Sequence, residues 1–148
     1  MNAEKLLVIL GNQLFPLEFV KGTGCDTVFM KEDLGLCTDY RHHKLKILFY
    51  LVAMREYRDS LLRAGYSVIY HEMGDETFSE PYIETLKNSL HKNGRRIIHY
   101  FKIEDNSFRN KFLRLRKEAA FTLIEQKSPM FFADDESFQH CSKGKTLR

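Results

Sequence analysis

Short apolar runs alternate with longer helical segments along the chain, and this alternation is the strongest constraint on its fold. The run at 5–10 is too short for a globular helix and lacks polar alternation, which is typical of a strand buried on both faces. The predicted strands are 5–10, 27–30, 67–70, 96–101 and 121–125. Strand and helix alternating over one domain predict an α/β, Rossmann-like fold, a five-stranded parallel sheet with helices on both faces.

One long helix is predicted from His42 to about Ala64, because this segment lacks Gly and Pro and its apolar residues recur at helical spacing. Gly65 stands where a C-terminal cap belongs. One apolar stripe consists of Leu45, Leu48, Phe49 and Val52, and a second consists of Ile47, Tyr50, Leu51, Met54 and Leu61. A helix with two such stripes has to be covered on more than one side.

Further helices are predicted from Ser79-Glu80-Pro81 to Asn93-Gly94, from about Ser107 to Ala120, and briefly from Asp134. Right-handed crossovers leave few topologies open, and we favour strand order 3-2-1-4-5. That order reverses between strands one and four, and ligands of such sheets bind beyond the carboxyl ends of the strands at the reversal. We therefore expect a binding crevice formed by the loops 11–15, 31–36 and 102–109.

The totals fit one soluble globular domain. With 148 residues, 43% hydrophobic and 29% charged, the chain resembles neither a disordered segment nor a membrane protein. We assign 1–140 to the domain and 141–148 to a polar tail or the start of an interdomain linker. The N-terminus lacks a cleavable signal, so a cytoplasmic location is expected. The net charge of +3 permits nucleic-acid contact without demanding it.

Cysteine usage argues against two kinds of site. Cys25, Cys37 and Cys141 are odd in number, widely separated and form no C-x-x-C motif. This pattern disfavours both a disulfide framework and a self-contained zinc or iron–sulfur site.

The first candidate site follows strand one directly and consists of Gly11, Asn12, Gln13 and Leu14. Glycine permits a sharp turn, and the two amides offer donors and acceptors to a planar heterocycle or a ribityl chain. The segment is neither a G-x-G-x-x-G motif nor a P-loop, so a bound pyrophosphate is not expected. A plain turn is the alternative interpretation.

Two carboxylates, Glu32 and Asp33, end strand two. Such a pair can serve acid–base chemistry, ribose hydroxyls or a metal. Alternatively, both cap the following segment and lie in water. With neither a third acidic residue nor a convincing His partner nearby, we argue for no metal and no catalytic residue.

The third candidate site, with Glu104, Asn106 and Phe108, follows strand four. Phe108 is suited to pack on an aromatic ligand, and Asn106 to hydrogen-bond it. The alternative is that Asn106 or Ser107 simply caps the next helix.

His42 and His43 begin the long helix. Adjacent helical residues project about 100° apart, so the two cannot share one ion in the manner of an i, i+4 pair. Structural or solvent-facing roles are expected, with at least one ring neutral and hydrogen-bonded.

Several short motifs together resemble one family. They are Gly11-Asn12-Gln13-Leu14, Met30-Lys31-Glu32-Asp33, His42-His43-Lys44-x-Lys46, Ala53-Met54-Arg55-x-Tyr57 and Gly65-Tyr66-Ser67-Val68-x-Tyr70. Their order and spacing resemble the deoxyribodipyrimidine photolyase-related group, which includes the prokaryotic iron–sulfur cryptochromes and (6-4) photolyases. The segments 104–109 and 128–131 resemble it as well, while the His-His-Lys and Ala-Met-Arg motifs are the most specific.

The resemblance implies a full-length flavoprotein of two domains. Its N-terminal α/β domain holds an antenna pocket, filled in characterised relatives by 6,7-dimethyl-8-ribityllumazine. Its helical C-terminal domain carries FAD, a [4Fe–4S] cluster and the DNA-lesion pocket, and the three cysteines here do not correspond to the cluster ligands. The chain is then an antenna domain for light-driven DNA repair or light sensing. Alone it is catalytically inert, with DNA contacts only through the parent protein, no membrane partner, and the FAD domain as its partner.

Two departures from the family pattern bear on the antenna pocket. Relatives carry Glu-Pro-Gly-Glu-aromatic-Arg where this chain has residues 104–109, so Asn106 replaces a glycine and is expected to narrow the pocket. Leu36 stands where relatives often carry an acidic residue. The pocket is therefore expected to bind the lumazine, a different chromophore, or none.

Two other functions stay open. A free-standing flavodoxin-like module that binds a nucleotide or small molecule, in signalling for example, predicts a polar surface all round. An enzyme using the pair Glu32 and Asp33 is a weaker hypothesis, because the sequence lacks a nucleophile, an activating base and a cofactor motif.

Overall fold

The computed structural model describes residues 5–38, 41–117 and 121–131. In these residues, five strands form one sheet in the order β3-β2-β1-β4-β5, and every neighbouring pair is parallel. The strands are β1 (Lys5–Val8), β2 (Thr27–Lys31), β3 (Ser67–His71), β4 (Ile97–Phe101) and β5 (Thr122–Gln126). The predicted α/β class and strand order are confirmed.

The sheet is most deeply buried at its centre. On β1, Leu7 is paired with Val28 of β2 and with His99 of β4. Such a strand can be almost wholly apolar because helices cover both of its faces, whereas the edge strand β5 is largely exposed. β1 ends at Val8, two residues before the predicted end at Leu10, and the chain turns directly after Leu10.

Within the described ranges, five helices and two 3₁₀ turns connect the strands. They are α1 (Leu17–Gly22), α2 (Leu34–Thr38), α3 (Lys44–Arg63), α4 (Tyr82–Lys92) and α5 (Asn106–Leu113), with the 3₁₀ turns Glu76–Ser79 and Arg114–Lys117. The long helix α3 confirms the prediction for 42–64 closely, and Gly65 follows it with a φ of +90°, the left-handed conformation typical of a helix end.

Three details of the helix prediction were wrong. The short helix α1 was not predicted, and α2 overlaps the segment 31–36 that was expected to be a loop, because segments of six and five residues are too short to show periodicity. The helix predicted to continue to Ala120 ends at Leu113 and tightens into a 3₁₀ turn, which carries the side chain of Leu115 into the core. The helix predicted from Asp134, the domain end at 140 and the tail 141–148 lie outside the described residues.

The helices divide between the two faces of the sheet. On one face, α4 and α5 pack against the sheet, and Leu86, Leu90 and Phe112 are fully buried there. On the other face, α1 and α3 pack against it, and Val20, Met54 and Leu61 are fully buried. No helix within the described ranges is long and apolar enough to cross a membrane.

One side of α3 is uncovered within the described part of the chain. Of its two apolar stripes, the second contains the buried residues Leu51, Met54 and Leu61. The first stripe is exposed, with relative exposures of 62% for Leu45, 57% for Leu48, 75% for Phe49 and 56% for Val52. We call these four residues the α3 stripe.

Candidate functional site

A crevice opens beyond the carboxyl ends of β1 and β4, where the strand order reverses. Its volume of about 250 Å³ is slightly below the range of about 300–1,000 Å³ that is usual for small-molecule sites. Its apolar and aromatic lining consists of Leu10, Tyr50, Tyr82, Ile103 and Phe108. Its polar lining consists of Asn12, Gln13, Lys31, Asp33, His42, Glu104 and Asp105, with Gly11 and Gly35 between them.

Most of the predicted site residues meet in this crevice. Those that line it are Gly11, Asn12, Gln13, Asp33, Glu104 and Phe108. The other three, Leu14, Glu32 and Asn106, are not part of the lining. Leu14 packs instead against the core beneath α3, and Asn106 is exposed on the first turn of α5. The structure therefore brings the three predicted loops together, but only some of their predicted site residues line the crevice.

Gly11 lets α3 approach the loop that follows β1. A Cβ atom at this position would lie 2.7 Å from Cε1 of Tyr50 and 2.8 Å from Sδ of Met54. Both distances are far below ordinary contact, so any larger residue has to push α3 side chains aside. The absence of a side chain at Gly11 is thus what allows Tyr50 to form a wall of the crevice.

Gln13 ties the loop after β1 to the end of β4. Its side chain is buried, and its Nε2 donates to the carbonyl oxygen of Lys102 at 3.0 Å. Its Oε1 atom is buried and has no hydrogen-bond partner among the described residues. The amide is therefore fixed at one end and offers an acceptor at the other.

Lys31 is a crevice residue that the sequence analysis did not single out. Its side chain is fully buried, and its Nζ donates to the carbonyl oxygen of Glu80 at 2.6 Å and to Oδ1 of Asp33 at 3.2 Å. Asp33 is more open, with 26% of its side chain exposed. Charged residues are rarely fully buried unless they have a partner, so a lysine directly after an apolar strand was the signal in the sequence that could have indicated this residue.

Tyr82 is the second residue that the sequence analysis missed. Its ring packs edge-to-face on Phe29 and on Phe108, with centroid separations of 5.8 and 5.3 Å. Its hydroxyl is buried and has no hydrogen-bond partner among the described residues. Burial, and secondarily the charge of Asp33, raise the pKa of Tyr82, so the hydroxyl stays protonated and can donate.

Glu32 belongs to a separate cluster on the other face of the sheet. Its carboxylate is buried and accepts two hydrogen bonds from Arg55, at 2.7 and 3.0 Å, one from the Tyr70 hydroxyl at 2.7 Å and one from the Met73 N–H at 2.7 Å. We call these four residues the Glu32 cluster. Burial would raise the pKa of Glu32, but the hydrogen bonds from Arg55, Met73 and Tyr70 outweigh it and hold the pKa below its usual value.

The separation of Glu32 from Asp33 has a simple cause. Successive side chains along extended backbone point to opposite faces, so Lys31 and Asp33 face the crevice while Glu32 faces α3. Treating the two carboxylates as one pair was therefore wrong as a description of their placement. Glu32 connects β2, α3 and the segment after β3, and its oxygens are already engaged.

Two helix caps border the crevice. Oδ1 of Asp105 accepts from the Phe108 N–H at 2.8 Å, so Asp105 caps α5, and the expectation that Asn106 or Ser107 would do so was wrong. Nδ1 of His43 accepts from the Leu45 N–H at 3.2 Å and caps α3, which confirms a structural role and a hydrogen-bonded ring for one of the two histidines. His42 lines the crevice instead. The side chain of Leu36 lies outside the described part of the structure.

Fold and site together define a class: a doubly wound α/β domain with a mixed aromatic and polar crevice at its switch point. Comparison with models of protein families shows to which family within that class the chain belongs. The model of the deoxyribodipyrimidine photo-lyase-related protein family matches residues 7–148, and the chain belongs to this family. A search of curated proteins found no match. The family that the sequence motifs resemble is thereby confirmed.

Proposed function

We propose that the chain is the antenna-chromophore-binding domain of a photolyase-like or cryptochrome-like flavoprotein, and that 6,7-dimethyl-8-ribityllumazine or a similar ribityl heterocycle binds in the crevice. The observation that carries the proposal is that two residues lining the crevice, Gln13 and Tyr82, each have a buried polar atom without a hydrogen-bond partner among the described residues, Oε1 and the hydroxyl respectively. When bound, such a chromophore absorbs light and passes the excitation energy to a flavin.

The lining fits a planar ring. Tyr50 and Phe108 present aromatic surface, and Tyr82 is held rigidly between Phe29 and Phe108. Flat heterocycles pack on such surfaces with favourable offset or edge-to-face geometry. The hydrogen-bonding atoms of Gln13 and Tyr82 then supply one acceptor and one donor to polar atoms at the edge of the ring.

The lining also fits a polyol chain. Asp33, Glu104 and Asp105 surround the crevice with carboxylate oxygens, and Asn12 contributes an exposed amide. Hydroxyl groups of a ribityl chain donate well to carboxylates and exchange donors and acceptors with an amide. The proposed function thus uses Gly11, Asn12, Gln13, Asp33, Glu104 and Phe108 as predicted, and adds Lys31, Tyr50, Tyr82 and Asp105.

The α3 stripe supports a partner for this domain. Tyr50 of α3 lines the crevice, while Phe49 and its stripe neighbours are exposed on the same helix. A contiguous apolar stripe is typical of an interaction surface. We infer that the C-terminal FAD-binding helical domain of the full-length protein, which would also carry the [4Fe–4S] cluster, covers the stripe. A free-standing flavodoxin-like module, with a polar surface all round, is disfavoured by the same residues.

In this proposal the chain alone does not repair DNA. The flavin, the cluster and the lesion pocket belong to the partner domain, so the choice between light-driven repair and light sensing is made there. The gene tests this part directly: an open reading frame that continues past Arg148 through a helical domain with four further cysteines supports it. A reading frame that ends there would contradict it.

Titration with the chromophore tests the antenna function. The purified chain is titrated with 6,7-dimethyl-8-ribityllumazine while fluorescence and heat are measured, and saturable one-to-one binding is expected. Gly11→Ala should weaken binding at least about tenfold, because its methyl group displaces Tyr50. Gly22→Ala is the matched control, since nothing lies within 4 Å of its added Cβ. A folded chain without saturable binding at high micromolar concentrations would contradict the proposal.

A further inference from the structure

Two buried polar atoms in the crevice have complementary chemistry. The Tyr82 hydroxyl is a donor, whereas Oε1 of Gln13 only accepts. Each residue is fixed by other contacts, Gln13 through its Nε2 hydrogen bond to Lys102 and Tyr82 through its ring contacts with Phe29 and Phe108. Neither residue can therefore turn its polar atom towards water without breaking these contacts.

Burying a polar atom that has no hydrogen-bond partner lowers the stability of the fold, and such atoms are rare in folded proteins. Within the described part of the chain, two residues lining the crevice each have such an atom, with Gln13 only 1% and Tyr82 only 7% exposed. Such costs are typically retained where a ligand supplies the missing partner. The ligand should accordingly present one acceptor and one donor.

The charge of the lining constrains the ligand further. The lining contains three carboxylates, Asp33, Glu104 and Asp105, and one ammonium group, that of Lys31, while the Lys102 ammonium lies 3.8 Å from Oε2 of Glu104. The Lys31 ammonium already donates to Asp33 and to the carbonyl oxygen of Glu80. The three carboxylates outnumber the ammonium groups of Lys31 and Lys102, and they would repel a phosphate.

The N-terminus of α5 does not offset this charge. Helix N-termini often bind phosphate through free N–H groups. At α5, however, Oδ1 of Asp105 already accepts from the Phe108 N–H at 2.8 Å and places a negative charge where the phosphate would lie. A phosphorylated ligand therefore meets repulsion at this side of the crevice as well.

We propose that the crevice selects an uncharged heterocycle with a polyol chain over its phosphate ester, and that Tyr82 and Gln13 recognise the ring through a donated and an accepted hydrogen bond. This inference rests on the proposed antenna function and specifies its ligand. Tyr82 donates to a carbonyl oxygen or ring nitrogen, and Gln13 accepts from an N–H or O–H group. The three carboxylates accept from the hydroxyls of the polyol chain.

A pair of ligands tests the charge selection. 6,7-Dimethyl-8-ribityllumazine and its 5′-phosphate ester share ring and chain and differ only in the phosphate. Calorimetry at low salt should give at least about tenfold tighter binding of the unphosphorylated compound, and the ratio should shrink as salt screens the repulsion. Equal or tighter binding of the phosphate ester would overturn the selection.

A pair of variants tests the recognition by Tyr82. Tyr82→Phe should weaken lumazine binding by about tenfold. It should leave the melting temperature of the free chain unchanged or higher, because it removes a buried hydroxyl that has no partner among the described residues. Tyr57→Phe is the matched control, since the Tyr57 hydroxyl donates to the carbonyl oxygen of Phe15 at 2.7 Å and lies outside the crevice lining. It should lower the melting temperature and leave lumazine binding unchanged.

The outcomes separate the two proposals. If the wild-type chain binds the lumazine but Tyr82→Phe binds it equally well, Tyr82 is not a recognition residue and only the further inference fails. A lower melting temperature for Tyr82→Phe would likewise show that the hydroxyl serves the fold. If the wild-type chain binds neither compound, the antenna function fails and this inference with it.

Discussion

Two clusters of buried polar groups lie near the same edge of the sheet, and they are built in opposite ways. In the Glu32 cluster, both oxygens of a buried carboxylate are bonded, by Arg55, Tyr70 and Met73. In the crevice, the Tyr82 hydroxyl and Oε1 of Gln13 have no partner within the described structure. The first arrangement stabilises the fold, whereas the second is suited to form hydrogen bonds with a small-molecule ligand.

The difference arises over three consecutive residues. Lys31 and Asp33 face the crevice and Glu32 faces α3, because side chains alternate along extended backbone. One strand end therefore serves both clusters without mixing them. Substitutions in the Glu32 cluster should change stability, and substitutions in the crevice should change binding.

The largest effect is expected from Glu32→Gln. It removes the charge that Arg55 pairs with in a buried position, so the free energy of unfolding should fall by about 3 kcal/mol. Urea denaturation measures this. Glu56→Gln is the matched control, because Glu56 and its partner Arg63 are exposed by 70% and 65%, and it should cost less than about 1 kcal/mol. Equal losses for the two variants would contradict the structural role of Glu32.

Gly11→Ala should have the next largest effect on stability. Its methyl group would lie 2.7 Å from Tyr50 and 2.8 Å from the buried Met54, and overpacking of this kind costs about 2 kcal/mol. Thermal or urea unfolding measures the loss. Gly22→Ala meets nothing within 4 Å and should change stability by less than about 1 kcal/mol. A fully stable Gly11→Ala variant would mean that α3 does not approach the loop so closely.

The pH dependence of stability isolates Glu32. Hydrogen bonds outweigh burial and hold its pKa below the usual value, so its contribution is present above the unfolded-state pKa of about 4.3 and disappears as the pH falls through the lower folded-state pKa. The stability difference between wild type and Glu32→Gln should therefore shrink in acid, by on the order of 1 kcal/mol. Denaturation of both proteins at pH 7 and pH 3 measures it. A constant difference would show that the carboxylate is not stabilised by these contacts.

The smallest effect on stability is expected at the α3 stripe. Phe49→Gln changes a side chain that is 75% exposed, so the free energy of unfolding should shift by no more than about 0.5 kcal/mol. Met54→Ala, on the buried side of α3, is the contrast and should cost about 3 kcal/mol. A large loss for Phe49→Gln would mean that the stripe is already covered within the chain.

The sequence predicted the sheet well because its signals are local. Apolar runs and helical spacing sufficed for the five strands and α3, and the strand order followed from the preference for right-handed crossovers. The helices α1 and α2 escaped prediction because a helix of one or two turns shows no periodicity.

The site was predicted only in part, because membership depends on where side chains point. Six predicted residues line the crevice. Lys31 belonged to the predicted loop 31–36 without being chosen as a site residue, and Tyr82 looked like the first turn of a helix. Glu32 looked equivalent to Asp33 until the strand end fixed their opposite directions. The contact between Gly11 and α3 is long-range and left no local trace in the sequence.

The most direct test of this comparison is an NMR titration of the isotope-labelled chain with 6,7-dimethyl-8-ribityllumazine. The account predicts saturable shifts of backbone amide signals at Gly11, Asn12, Asp33, Glu104 and Asp105, with signals of the Glu32 cluster at Arg55, Tyr70 and Met73 nearly unchanged. Shifts centred on the Glu32 cluster, or scattered over the surface without saturation, would contradict the assignment of the crevice as the binding site.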